Sequence, residues 1–214
     1  MANDKGNVNS KIVNSKIVNS ADIRQAVEVM RQGGVILYPT DTVWGIGCDA
    51  TNSEAVRRVF EIKRRSGAKS LVLLASDLDM VARYIKEIPS IAIDLVEVND
   101  APMTIVYPGA MGLAPEVVAE DGSVGIRIPC LDAESPAAGA QFCHDLVRRL
   151  RRPLVSTSAN ISGEPAPSCF SEISAEIKAA VDFTVPKGFD SGSTGRASQI
   201  IKLGLHGEVE IIRN

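Results

Sequence analysis

Three stretches of the chain gather polar side chains without helical or strand periodicity. They are Pro39-Thr40-Asp41-Thr42-Val43-Trp44-Gly45, Lys63-Arg64-Arg65-Ser66-Gly67-Ala68-Lys69 and Ser156-Thr157-Ser158-Ala159-Asn160. Together they offer fixed cations, hydroxyls and an amide. Arginine forks and lysine ammoniums take phosphate and carboxylate, while Ser, Thr and Asn serve phosphate, ribose or amino-acid oxygens. Such a set suits phosphoryl or nucleotidyl transfer, where the protein positions groups and stabilises charge while Mg²⁺ bridges phosphates. A protein base is not demanded if the nucleophile is already an anion.

Other chemistries are poorly supplied. There is no Gly-x-x-x-x-Gly-Lys-Ser/Thr loop, and Gly45-Ile46-Gly47-Cys48-Asp49-Ala50 meets only the relaxed dinucleotide pattern, with no strand-ending acid about 20 residues on. His144 and His206 are the two histidines and lack ligand spacing, so no protein metal site is expected. Ser156 to Ser158 have no Gly-x-Ser-x-Gly elbow and no evident base, which argues against covalent catalysis. Cys48, Cys130, Cys143 and Cys169 show no Cys-x-x-Cys spacing and read as structural thiols.

The 214 residues carry a net charge of -3, which excludes a surface basic all round, as a nucleic-acid coat protein would have. From Arg57 to Lys69, however, six cations face one acid, so this stretch holds +5 and the remainder -8. Arg148, Arg149, Arg151 and Arg152 form a second cluster. Local positive charge on an acidic chain suggests an anionic ligand, or else a solvated helix face with cations near its C-terminal dipole. No apolar run approaches the ~20 residues of a membrane-spanning helix, and the N-terminus has no leader pattern, so a cytoplasmic protein without membrane contact is expected.

The loops need a scaffold, and its elements are readable. Residues 1–20 repeat Lys-Ile-Val-Asn-Ser at a five-residue period that fits neither a helix nor a strand face, and are read as a flexible tail before one domain over 21–214. Helices are predicted over Ala21 to Gln32, over Ser53 to about Arg65 behind a Thr51-to-Glu54 capping box, and over Asp77 to Ile85, Ser90 to Val98, Ala137 to Leu150 and Ser171 to Ala180. Strands are predicted at Val35 to Tyr38, Leu71 to Ala75, Met103 to Tyr107, Val124 to Ile128, Leu154 to Ser156, Val181 to Val185, Ser198 to Leu203 and Glu208 to Ile212. Interleaving of this kind implies a layered α/β domain with a mixed sheet.

The same loops carry a resemblance. Tyr38-Pro39-Thr40-Asp41-Thr42-Val43-Trp44-Gly45, then Ile62-Lys63-Arg64-Arg65, then Val124-Gly125-Ile126-Arg127-Ile128-Pro129, then Ser156-Thr157-Ser158-Ala159-Asn160-Ile161-Ser162-Gly163, resembles the YrdC-like threonylcarbamoyl-AMP synthases in four ordered motifs. The resemblance implies a twisted mixed sheet with flanking helices around a concave basic cavity. It also implies synthesis of threonylcarbamoyl-AMP and pyrophosphate from L-threonine, bicarbonate and ATP with Mg²⁺, for N6-threonylcarbamoyladenosine in tRNA. Partners so implied are a downstream threonylcarbamoyl transferase complex and tRNA itself.

By position, Lys63, Arg65 and Lys69 would hold the ATP phosphates, with Ser158 and Asn160 at the nucleotide and Ser123 and Arg213 as further contacts. Thr42, Arg127, Ser156 and Ser198 would hold threonine, Arg127 gripping its carboxylate. Residue types alone leave Thr42 as a turn hydroxyl, Ser158 and Asn160 as a cap or Asx turn, and Arg127 as a cross-strand ion pair. Between Ile126 and Ile128, a buried Arg127 needs an anion. Ser66 and Ser70 depart from the family's prolines, Trp44 from its tyrosine, and Leu74 from a polar residue in some members. A module for tRNA or double-stranded RNA, or a non-synthetic paralogue, are the competing readings.

Overall fold

The computed structural model describes residues 20–65, 71–131, 137–186, 188 and 193–214. The expected tail lies outside these but for Ser20, which opens the first helix, and Ser66, Lys69 and Ser70 lie outside them too. In chain order the elements are α1 (residues 20–31), β1 (Ile36–Tyr38), β2 (Gly45–Gly47), α2 (Ser53–Ile62), β3 (Val72–Leu74), α3 (Leu78–Ala82), α4 (Ser90–Val98), β4 (Met103–Tyr107), β5 (Val124–Arg127), α5 (Ala138–Leu150), β6 (Leu154–Ser158), α6 (Ala175–Ala180), β7 (Phe183–Thr184), β8 (Gln199–Leu203) and β9 (Val209–Arg213).

The nine strands form one sheet in the order β7-β1-β2-β6-β3-β5-β4-β8-β9. It is mixed: β1/β7, β3/β5 and β4/β8 run parallel, the other pairs antiparallel. β6 joins the halves, pairing Ser158 with Gly45 of β2 and Ser156 with Val72 of β3. Apolar helix faces cover the sheet, including Ile23, Ala26, Val27 and Met30 of α1, Ala55, Val56 and Val59 of α2, and Phe142, Leu146, Val147 and Leu150 of α5. Their burial is the main stabilising term.

Several boundaries differ from expectation for physical reasons. β2 was expected as loop, because Gly-Ile-Gly carries almost no strand signal. Its glycines serve close approach, since a Cβ on Gly47 would lie 2.1 Å from the Val155 carbonyl oxygen. The cap of α2 is Asn52, which accepts from the Ala55 N–H at 3.1 Å, and not Thr51, whose hydroxyl is taken by Asp49 at 2.7 Å. Expected to reach Arg65, α2 stops at Ile62, and Arg64 turns to a positive φ of 48°. The helix expected from Ser171 divides into a 3₁₀ turn at Phe170–Glu172 and the short α6. Leu74, where a polar contact was considered, is buried in β3.

All four cysteines are free thiols, and Cys48 and Cys143 are buried. No described helix is long and apolar enough to cross a membrane.

Candidate functional site

The Arg57-to-Lys69 stretch does not act as one basic patch. Arg57 pairs with Glu116 at 2.9 Å, Arg58 with Asp182 at 2.7 Å and Arg64 with Glu176 at 2.6 Å, all at the surface. These three are solvated pairs that contribute little to stability. In the second cluster Arg152 pairs with Asp49 at 2.7 Å, and Arg151 caps α5 in the left-handed conformation.

Arg65 behaves differently. It lines a cleft of about 280 Å³, and burial lowers its pKa below the usual arginine value. Thr42 and Arg127 line the same cleft, as do Ser156 and Ser158 of β6. Ser198 and Arg213 line it as well. The structure thus brings together seven of the expected site residues from the β1–β2 loop, the end of α2, β5, β6 and the C-terminal hairpin.

Thr42, Arg127, Ser198 and Arg213 are held by their neighbours. Thr40 gives its hydroxyl proton to the Val43 carbonyl at 2.7 Å and lies 2.8 Å from the Thr42 hydroxyl. Thr42 is therefore the donor of that pair and shows lone pairs to the cleft. Gly195 N–H donates to the Thr42 carbonyl and Thr194 N–H to that of Asp41, both at 2.9 Å, and the Ser193 hydroxyl also donates to Thr42. Behind the loop, α5 packs against Thr40 at Gly139, and the Cys143 thiol reaches the Pro39 carbonyl at 3.4 Å.

Arg127 is 4 % exposed and lies 2.8 Å from Asp41, itself 7 % exposed, between Nη1 and Oδ1. The angle falls outside hydrogen-bond geometry, so the contact is a close ion pair. The apolar neighbours of Arg127 call for an anion, and Asp41, in a loop 86 positions away along the sequence, supplies it, which nothing in the spacing indicates. The single signal was an acid between two threonines at the end of a strand. Arg213 spends its Nε and Nη2 on the Ser198 carbonyl, at 2.9 and 2.7 Å. Burial, and then the charge of Arg127, lower its pKa. The Ser198 hydroxyl is 2.8 Å from that of Thr104.

Four expected residues stand elsewhere or outside view. Lys63, 2 % exposed, turns its ammonium onto the Ser158 carbonyl, the Asn160 carbonyl at 2.8 Å and Asn160 Oδ1 at 3.4 Å, so it ties the end of α2 to the turn after β6. Asn160 lines a separate pocket with Glu164 and Ser174, and its amide donates to Glu164 O at 2.6 Å. Ser123 is absent from the cleft lining and gives its hydroxyl to Asp121 at 2.6 Å. Lys69 falls outside the described residues. Trp44, which stands where the family has tyrosine, is buried against Phe170, edge to face at 5.0 Å.

Burial, and secondarily the charge of Arg65, pull Lys63 down to about 8 from its ordinary 10.5. Between those values the unfolded chain keeps a proton that the folded chain has released, so this lysine makes stability rise with pH. Buried Cys48 and Cys143, whose pKa values are raised, act in the opposite sense. The expected result is that the native chain gains stability relative to Lys63→Met as pH rises from 8 to 10.5. Parallel denaturant melts check it, and a flat difference would remove the buried, charge-strained lysine.

Known proteins supply the remaining comparison. The Sua5/YciO/YrdC family model, described as telomere recombination, matches residues 28–214. A threonylcarbamoyl-AMP synthase of Xanthomonas euvesicatoria pv. vesicatoria is 33% identical over 184 residues, covering 83% of this chain and 89% of that protein. One of Pseudomonas aeruginosa is 35% identical over 142 residues, covering 66% of this chain and 71% of that protein. Among solved structures, P. abyssi Sua5 complexed with L-threonine has a TM-score of 0.74 at 27% identity over 85% of this chain, which spans only 50% of that one. E. coli YciO shares the fold, with a TM-score of 0.72 at 23% identity, covering 93% of this chain and 89% of that one.

Proposed function

This chain belongs to the Sua5/YciO/YrdC family, and on that premise we propose that it is an L-threonylcarbamoyladenylate synthase, a nucleotidyltransferase joining L-threonine, bicarbonate and ATP. The observation that carries the reading is the convergence of Arg65, Arg127 and Arg213 on one cleft in a chain of net charge -3. Three guanidiniums around a small cavity suit a ligand set with several anionic groups.

The chemistry needs an anion, then a leaving anion. The threonine amine attacks bicarbonate, water is lost, and a carbamate forms. A carbamate oxygen then attacks the α-phosphorus of ATP, the bond to the bridging oxygen breaks, and pyrophosphate carries off the electron pair. Arg127 holds the threonine carboxylate through N–H groups not turned to Asp41, and Thr42 accepts from the amine, with Ser156 and Ser198 beside them. Arg65, Arg213 and Ser158 face the phosphates and spread the charge of the transition state.

Lys63, Lys69, Asn160 and Ser123 complete the nucleotide contacts in this reading. Lys63 commits two N–H groups to backbone carbonyls, and its third contact, at 3.4 Å, is long enough to yield to a phosphate oxygen. The cleft offers cations and hydroxyls, and no cluster of three His, Cys, Asp or Glu side chains that would hold an ion is found among the described residues. Mg²⁺ would therefore come held by the nucleotide phosphates, with Ser158 or Ser156 within reach, and would supply neutralisation of the leaving pyrophosphate.

The product is a mixed anhydride, so a transferase must consume it. A threonylcarbamoyl transferase complex acting on tRNA is the partner this reading requires, and the cytoplasm is where the two would meet.

The test is pyrophosphate release by the purified chain with ATP, Mg²⁺ and bicarbonate. Release that depends on both L-threonine and bicarbonate, and falls away with serine, is the expected result. ATP binding without release would reassign the chain to a non-synthetic paralogue. Binding of tRNA that falls steeply with salt and ignores ATP would reassign it to an RNA-binding module.

A further inference from the structure

Successive residues of a strand point to opposite sides of its sheet. In β5, Gly125 and Arg127 face the cleft while Ile126 faces away, and the register that sets Ile105 opposite Ile126 puts Met103, Ile105 and Tyr107 of β4 on that reverse side. There they line a second cavity of about 220 Å³, together with Val96 of α4 and His144 of α5. The synthase chemistry uses none of these side chains.

Size, polarity and charge restrict what this cavity would hold. An apolar protein cavity of about 150 Å³ admits benzene, so this one has room for a substituted ring. Its floor is apolar but carries one hydroxyl: Tyr107 is 1 % exposed as a residue, no described residue bonds its oxygen, and that oxygen is not among the fully buried polar atoms, so it is open to the cavity. A hydroxyl free of protein partners at the floor of an apolar cavity offers one donor and two lone pairs to a ligand oxygen. His144 Nδ1 is also without a hydrogen bond, 3.6 Å from Asp145, and Ser76, which lines the cavity, donates its hydroxyl to Asp77 at 2.7 Å. These two carboxylates, each beside a lining residue, disfavour an anion.

We propose that the reverse face of β4 and β5 is a second ligand site, taking a neutral molecule of one ring or equal bulk with a single hydrogen-bonding oxygen directed at Tyr107. It is separate from the cationic cleft, so it stands or falls independently of the synthase reading.

The probe is p-cresol, titrated into the full chain with ¹³C-labelled Ile and Met methyls. Saturable shifts are expected at Met103, Ile105, Ile126 and Ile128 at millimolar concentrations, with Ile200, a residue of the opposite cleft, unmoved. Tyr107→Phe should weaken binding about tenfold, the value of one hydrogen bond, and 4-hydroxybenzoate should bind more weakly than p-cresol by a similar factor. Val96→Trp, which fills the cavity, should abolish the shifts, and the methyl spectrum reports directly whether that variant is folded. No saturable shift at these four methyls, shifts at Ile200 instead, or undiminished affinity in Tyr107→Phe would each overturn the site.

Discussion

Arg127→Ala is expected to lower threonine affinity by about 2–4 kcal/mol, roughly 30- to 1,000-fold, while leaving ATP affinity within a few-fold. The size comes from burial. With the guanidinium gone, a bound carboxylate loses its counter-ion in a site shielded from water, and Asp41 is left as a buried charge without its partner. The same variant should therefore melt lower, since breaking one side of a buried pair costs about 3–5 kcal/mol. A double replacement, Asp41→Asn with Arg127→Met, separates the two effects. It removes the orphan charge, so stability should largely return while threonine binding does not. Calorimetric titration with threonine and denaturant melts of the three proteins decide the matter. Threonine affinity within threefold of the native chain in Arg127→Ala would remove Arg127 from the binding role.

Gly139→Ala should be strongly disruptive for a single added methyl, because it strikes the loop that carries Thr42. In a helix, alanine is normally better than glycine by about 1 kcal/mol. Here the new Cβ would lie 2.3 Å from the Thr40 carbonyl oxygen, 2.4 Å from its carbon and 3.0 Å from the Asp41 nitrogen. These are backbone atoms, which cannot swing aside as a side chain does, so either α5 retreats or the Thr40-to-Thr42 loop moves. Overpacking of this sort costs about 3 kcal/mol, more than the propensity gain. Because the loop carries Thr42 and Asp41, the KM for threonine should rise by more than that for ATP. Gly125→Ala is the comparison, as its Cβ would meet side-chain methyls alone, the nearest that of Thr104 at 3.3 Å. Equal stabilities for the two variants would show that α5 does not brace the loop.

The sequence was legible where one physical cause governs a segment. Met103–Tyr107 and Ser90–Val98 fall at their expected limits because apolar pattern and flanking breakers agree. β2 was hidden because its glycines matter for what they lack. The cap of α2 was misassigned by one residue because Thr51, Asn52 and Ser53 are all competent caps, and Asp49 decides among them by claiming Thr51. At the site, charge was visible but direction was not. Lys63 and Arg65 are two residues apart, yet one is turned onto the carbonyls of Ser158 and Asn160 and the other lines the cleft. Spacing along a chain that is leaving a helix does not fix where each side chain points. Asp41 escaped notice because an ion pair between distant segments leaves no periodic trace.

The two-faced β5 restricts how the chain can vary. Between β3 on one side and β4 on the other, the strand is paired along both edges. A substitution on it alters one side chain, but inserting or deleting a single residue would exchange the two faces, moving Arg127 among the apolar residues and an isoleucine into the cleft. A two-residue change would restore the faces and lose the pairing. Lineages can therefore rewrite β5 residue by residue, but its length is fixed by two cavities at once.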